Sequence, residues 1–388
     1  MLRVLTLSSL FPDAARPTFG GFVAKQTMAL AAHPDVTLQV VAPLGLPPWP
    51  LSRHARYAAL AALPPRETWQ GLTVHRPRFP IVPAIGGPLS PRLMARALLP
   101  LLRRIRRDFP FDVIDAEFFY PDGPAAVALG RALRVPVSIK ARGSDIHYWS
   151  ERPGCRRQIV AAGRAADGLL AVSGPLRQDM IALGMPADRI RVHHTGVDPG
   201  LFHPRDRAAE KAALGVAGPL LVSIGYLIER KGQRLAIEAI PAIPGATLLI
   251  VGDGPAKAEL EAGIAALGLG DRVRMLGPLP HAALPPLLAA ADIMVLPSSS
   301  EGLANVWVEA LACGTPVITA DVGGAREVVN RPAAGRLVPL DPAAIAAAAN
   351  GILRDPPAVA EVLAAVAGFT WEANTAALHA HLDRLRAG

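Results

Sequence analysis

Two glutamates, Glu301 and Glu309, stand with seven residues between them in the stretch Glu301 to Gly314, EGLANVWVEALACG. A small-residue loop feeding straight into a helix would set one carboxylate at the helix mouth and the other a little over two turns along the same face. Carboxylates accept hydrogen bonds from hydroxyls, so the pair suits a polyhydroxylated ligand. Upstream, Gly225-Tyr-Leu-Ile-Glu-Arg-Lys-Gly232 reads as a strand end turning into a basic loop. Arg230 and Lys231, adjacent and just before a helix, would neutralise a diphosphate without a metal, each charge-assisted hydrogen bond being worth roughly 1.5–3 kcal/mol. The plainer alternative for them is a solvated surface pair. Together the two segments predict a sugar nucleotide, with Glu309 on the ribose and Glu301 on the sugar hydroxyls.

Helix N–H groups that follow a strand point at whatever sits at the strand's carboxyl end, and a phosphate is a natural occupant. Gly20-Gly21 after the first strand, and Gly252-Asp-Gly254 after Leu248–Val251, are turns of this kind. Paired glycines let the backbone approach a ligand, although a plain loop pair is common. Neither turn completes a GxGxxG dinucleotide fingerprint. Cys313 and Gly314 read as helix-end packing, and His193-His194 as core or hinge packing rather than catalysis.

The elements that must position these residues alternate between short apolar runs and alanine- and leucine-rich stretches, the pattern of parallel α/β sheets. The first half offers strands at Leu2–Ser8, Val36–Ala42, Leu72–His75, Val113–Asp115, Val137–Lys140, Gly168–Val172 and Ile190–His193. The second half offers Leu220–Ile224, Thr247–Val251, Val273–Leu276, Ile293–Leu296, Val317–Thr319 and Gly335–Val338. Runs apolar on both faces suit strands covered by helices on both sides, giving two doubly wound domains. The junction falls at Gly196–Pro204, where proline and glycine cluster, so the expected domains are residues 1–200, 201–370 and a closing helix within 371–388. That helix carries one apolar stripe, Leu378, Leu382 and Leu385, able to pack on either domain.

Pro43–Pro50 and Phe79–Pro91 read as proline-rich loops. Arg92 to Arg107, RLMARALLPLLRRIRR, reads either as a core-facing helix with a solvated basic face or as a patch for anionic lipid; Pro100 interrupts it.

A chain of 388 residues, 51% of them hydrophobic, is long enough for two cores. A net charge of +8 favours acidic partners. With only 5% aromatic residues and no basic-aromatic repeat, nucleic acid is not expected among them. Two distant cysteines, Cys155 and Cys313, without a CxxC partner suggest neither a disulfide framework nor a structural zinc site and point to a reducing compartment. Met1–Leu10 reads as a buried first strand rather than a signal peptide, and no run of eighteen apolar residues is free of charge and proline.

The spacing Gly225…Lys231-Gly232, Val251-Gly-Asp-Gly-Pro255, Met275-Leu-Gly277, Glu301 with Glu309, and Ala310-Leu-Ala-Cys-Gly-Thr-Pro-Val317 resembles the retaining family 4 glycosyltransferases of the GT-B fold. Gly20-Gly21-Phe22, Arg142-Gly-Ser-Asp145, and Val172-Ser173 with Gly196-Val-Asp198 extend the likeness over most of the chain. The resemblance implies two Rossmann-like α/β domains facing across a cleft, the nucleotide-sugar donor held by the C-terminal one and the acceptor approaching from the N-terminal one. On matching positions it implies Arg230 and Lys231 on the diphosphate, Glu309 on the ribose, and Glu301 on the donor sugar, with loop amides at Ala304 and Asn305. The base would lie near Arg274–Gly277, with Arg274 and Leu276 beside it. Gly20, Gly21, Gly225, Gly252 and Gly254 would line the donor path. Arg142 and His147 would stand on the acceptor side. Asp145 joins Glu301, Arg230 and Lys231 as a catalytic candidate, because many relatives carry histidine where Arg142 stands. Tyr226 replaces a frequent arginine, and Leu303-Ala304-Asn305 a phenylalanine-glycine pattern, so sugar selectivity is not inherited.

The resulting expectation is a glycosyltransferase of the hexosyl-transferring class, acting with retention, without metal or cofactor. It would move a sugar from a UDP- or GDP-sugar to a saccharide or lipid-linked acceptor in polysaccharide or glycolipid synthesis. It would be cytoplasmic, with an anionic membrane surface as an open further partner. A sugar-nucleotide epimerase or hydrolase, or a non-catalytic sugar-nucleotide-binding subunit, would share the donor residues. A nicotinamide oxidoreductase would need a glycine fingerprint that neither half supplies.

Overall fold

The apolar runs form strands because β-branched and leucine residues packed on both faces leave the backbone no partner but the neighbouring strand. The computed structural model describes residues 1–82 and 86–387. Among these the strands are β1 Leu2–Leu7, β2 Val36–Val41, β3 Leu44–Leu46, β4 Arg66–Trp69, β5 Leu72–His75, β6 Arg78–Pro80, β7 Val113–Ala116 and β8 Val137–Ala141. They continue with β9 Gly168–Ala171, β10 Ile190–Val192, β11 Leu220–Ile224, β12 Thr247–Val251, β13 Val273–Gly277, β14 Ile293–Val295, β15 Val317–Thr319 and β16 Gly335–Leu337. The chain divides into two units, Met1–Thr195 with Trp371–Gly388, and Gly196–Thr370.

In the first unit the sheet order is β10-β9-β8-β7-β1-β2-β5-β4, parallel except for the β4–β5 edge pair. Every residue of β7 and β8 is buried, so both faces of these strands are covered. The chain winds outward from β1 to β2 and β5, then returns to β7 on the other side of β1. Such a reversal opens a crevice at the carboxyl edge of a parallel sheet. The helix Trp371–Ala387 packs on this unit, burying Leu378 and Leu382 against Leu2, Val4, Leu30, Val36, Val113 and Leu170. Each leucine so buried contributes about 1.5–3 kcal/mol.

The second unit carries a six-stranded parallel sheet, β13-β12-β11-β14-β15-β16. Its reversal lies between β11 and β14. A core of Leu221, Leu248, Ile250, Ile293, Val295 and Ile318 packs against Ile237, Ile240, Ile345 and Ile352 from the flanking helices.

Three departures from the sequence reading have local causes. The two proline-rich stretches are not loops throughout: Leu44–Leu46 pairs in parallel with Arg78–Pro80. Residues 83–85 of the second stretch lie outside the described residues. The edge strand β4 escapes an apolar search because its sequence, Arg-Glu-Thr-Trp, never presents a fully buried side chain; it turns back into β5 through Gln70-Gly71. The arginine-rich segment is one helix, Ser90–Asp108, running through Pro100. Met94, Leu98, Leu102 and Ile105 form its buried stripe, and Arg92, Arg96, Arg103 and Arg107 are exposed. Pro100 also faces solvent, the side of a helix on which a carbonyl left unpaired by its missing N–H costs least. Among the described residues no helix is long and apolar enough to cross a membrane.

A buried polar chain crosses the first unit. Lys140 Nζ donates to Gln26 and meets His193 Nδ1 at 2.7 Å, and His193 Nε2 lies 2.9 Å from the carbonyl of Asn374. Beside it, His381 Nε2 sits 3.1 Å from Ser138 Oγ. Burial, reinforced by Arg384, Arg191 and Lys140, lowers the His381 pKa from its ordinary 6.5 to about 4. Above pH 6.5 neither the folded nor the unfolded chain holds this proton. As pH falls from 6.5 toward 4 the unfolded chain takes it up first, so folding should lose about 3 kcal/mol from this group. His381→Gln is therefore expected to flatten the acid limb of stability in that window, read from urea midpoints. Identical limbs in both proteins would refute it.

Candidate functional site

In the second unit the chemistry-bearing residues gather at the carboxyl edge of the sheet, at its reversal. The loop after β11 forms a short 3₁₀ turn, Glu229–Lys231, before the helix Gln233–Ala239. The loop after β14 carries Glu301. Lys231 Nζ lies 2.5 Å from Glu301 Oε1, and Arg230 Nη1 lies 3.9 Å from Glu301 Oε2 while also donating to the Ser300 carbonyl. Glu301 is only 9% exposed, so its charge relies on these two cations. The pair sits where parallel sheets of this winding present ligands.

Glycines shape that edge by letting its loops touch. Gly252 has φ 145°, and a Cβ there would stand 1.9 Å from the Gly225 carbonyl oxygen. A Cβ on Gly254 would stand 2.3 Å from that of Leu227. A Cβ on Gly225 would make only ordinary contact, 3.7 Å from Gln233 Nε2 and 4.0 Å from Lys231 Cδ. Gly252 and Gly254 thus seat the cation loop on the loop after β12. Gly20, with φ 67°, caps the helix Gly21–Ala31, and a Cβ there would strike the Leu10 carbonyl at 2.4 Å, whereas Gly21 faces open space. Of that pair, only Gly21 leaves room for a ligand.

The helix Asn305–Ala312 begins four residues after Glu301, so the two glutamates are not helical neighbours. Glu301 is held by the loop and Glu309 by the helix. Ala304 is the N-cap and makes no side-chain cap; Trp307 N–H bonds the Ala304 carbonyl, which leaves the amides of Asn305 and Val306 directed along the helix start with their partial positive charge. Glu309 meets His281 Nε2 at 2.7 Å. At the far end Cys313 is buried, its thiol pushed up to about 12 by burial and by Glu309, which makes it a packing residue. Leu276 is partly exposed at the end of β13, but Arg274 donates to the Leu214 carbonyl at 3.1 Å and joins neither glutamate. The sequence reading set Arg274 beside the base; in the ligand-free chain its guanidinium rests on the carboxyl end of the helix Arg207–Ala213.

In the first unit, Asp145 is fully buried and accepts from the amides of Phe119 (2.8 Å), Arg142 (2.9 Å) and Gly143 (2.8 Å). Burial raises its pKa despite those amides. Asp145 thus staples the turn after β8, its carboxylate occupied by backbone amides. Arg142 turns inward: its Nε donates to the Glu117 carbonyl at 2.7 Å, its Nη2 pairs with the Glu117 carboxylate, and its guanidinium lies over the Phe22 ring. Burial opposes the charged Glu117, yet Arg142 and Lys140 together hold its pKa below the ordinary value. His147 pairs with Asp179 at 2.9 Å. Sequence reasoning missed Glu117, Lys140 and His281. For His281 a signal existed, since it follows the β13 strand end directly through Pro278-Leu-Pro280.

Two parallel α/β units of this winding, with their polar clusters at the strands' carboxyl edges, define a GT-B glycosyltransferase. Glycosyl transferases group 1 matches residues 205–365, and Glycosyltransferase Family 4 matches residues 39–201. The putative teichuronic acid biosynthesis glycosyltransferase TuaC of Bacillus subtilis is 29% identical over 85% of this chain and 84% of its own. The 2-deoxystreptamine glucosyltransferase of Streptomyces kanamyceticus is 35% identical over 76% of this chain and 83% of its own. The crystal structure of Anabaena Alr3699/HepE in complex with UDP superposes with a TM-score of 0.75 at 22% identity, over 99% of this chain and all of that one. The chain belongs to glycosyltransferase family 4 and is a transferase enzyme.

Proposed function

We propose that this glycosyltransferase takes its sugar from a nucleoside-diphosphate sugar bound by the second unit and passes it, with retention of configuration, to a saccharide or lipid-linked acceptor. The observation that carries this reading is the convergence of Lys231, Arg230 and Glu301 at the reversal of the β11–β14 sheet. A departing diphosphate needs preorganised positive potential, and two loop cations with the amides of the helix at Asn305 supply it without a metal. Glu301 balances the cations until the phosphates arrive, then turns to the sugar hydroxyls. Glu309 takes the ribose diol. The C1–O bond to the diphosphate breaks, the acceptor oxygen bonds C1 on the same face, and the acceptor's proton passes to the leaving phosphate. No protein nucleophile is required for this same-face route. The exposed arginines of Ser90–Asp108 suit a lipid-linked acceptor at an anionic membrane surface.

Thermal shift with UDP, GDP and ADP tests the donor. One of them should stabilise the protein, by about 2.7 kcal/mol at a hundredfold excess over Kd. No shift with any of the three would overturn the reading. Anomeric analysis of the product, formed only when acceptor is supplied, separates transfer with retention from hydrolysis or mere binding.

A further inference from the structure

Resting on the reading of Glu309 as the ribose acceptor, we infer that His281 is the positioning residue that orients the Glu309 carboxylate for the ribose diol. The argument is geometric. Glu309 projects from the second turn of the helix Asn305–Ala312, and a glutamate carboxylate has three torsions to settle before it can accept two hydroxyls at once. His281 Nε2 reaches Glu309 Oε1 at 2.7 Å. The imidazole, 38% exposed, has supports of its own. Its backbone opens a 3₁₀ turn, His281–Ala283, directly after Pro280, and its ring meets the buried Phe202 ring edge-on with centroids 5.0 Å apart. A side chain packed against one neighbour and bonded to another narrows its partner's choice of rotamer, which lowers the ordering cost of binding. The same His281 stands four residues beyond Gly277, the last residue of β13, so the base end of the expected nucleotide path leads to it.

Only the hydroxyl-bearing part of the ligand should feel His281. Nucleoside diphosphate (UDP, GDP or ADP, whichever binds the parent best) and its 2′,3′-dideoxy analogue are titrated against the parent, His281→Ala and His281→Gln. The alanine variant is expected to weaken the ribonucleotide about tenfold, the scale of one charge-assisted hydrogen bond, and to bind the dideoxy analogue as the parent does. Glutamine, which keeps an N–H for Glu309, should restore ribonucleotide binding to within about threefold. Equal losses with both ligands would reduce His281 to a merely structural role, and tighter ribonucleotide binding by the alanine variant would make it an occluding residue; either overturns the inference while leaving the donor reading intact. A parent that binds none of the three diphosphates, or does not distinguish the dideoxy analogue, would remove the donor reading and this inference with it.

Discussion

Lys231→Ala is expected to lower kcat/KM for sugar transfer by about 30- to 150-fold, the 2–3 kcal/mol of one charged hydrogen bond to a phosphate in the transition state. Two effects act in the same direction. The variant loses its cation at the leaving group, and it strands Glu301, of which only 9% is exposed, with Arg230 3.9 Å away as its remaining counter-charge. A buried carboxylate left with only that more distant cation pushes back on an incoming diphosphate, so part of the loss should appear as weaker donor binding. Arginine at this position would restore charge but not the compact ammonium geometry, and should recover only part of the rate. Steady-state kinetics decide the matter: turnover of the alanine variant within threefold of the parent would remove Lys231 from the chemistry.

Gly252→Ala should produce a large loss of stability. A methyl group there would lie 1.9 Å from the Gly225 carbonyl oxygen, and the backbone angle of 145° is one that alanine rarely adopts. Strain of this kind costs of order 1–3 kcal/mol from the dihedral alone, before the clash is relieved. Relief has to come from the Gly225–Leu227 segment, which leads into Arg230 and Lys231. A fall of about 3 kcal/mol or more in unfolding free energy is therefore expected, together with weaker nucleotide binding in whatever protein remains folded. Denaturant titration and a diphosphate titration of the same sample check both halves. An unchanged midpoint would show that the loops have room the geometry denies them.

Much of this architecture was legible in the residues because parallel strands covered on both faces are written as short apolar runs. Every strand read from such a run, from Leu2–Ser8 to Gly335–Val338, lies within a residue of its place. The strands at Leu44, Arg66 and Arg78 were not legible, because an edge or a two-stranded ladder buries too little to demand apolar residues. The cluster of Arg230, Lys231 and Glu301 was legible for a related reason: each follows the carboxyl end of a strand, and the winding of the sheet brings those ends together. The enclosure of Asp145 was not legible, for the opposite reason. Its sequence neighbours say nothing of the amide of Phe119, which is distant in the chain and completes its hydrogen bonding. Contacts such as Lys140 with Gln26, or His281 with Glu309, depend on the register in which separate elements pack, and no local pattern records that.

The helix at Trp371–Ala387 belongs to the unit that the chain begins, although all of residues 196–370 are made in between. In the order of synthesis, then, residues 1–195 have Leu2, Val4 and Leu30 uncovered until the helix at Trp371–Ala387 is made, while the second unit has every strand of its own sheet in hand. Removing turns from this helix would thus harm the unit built on β1 rather than the one that precedes the helix in the chain. A fusion partner is better tolerated where it leaves Leu378 and Leu382 free to dock.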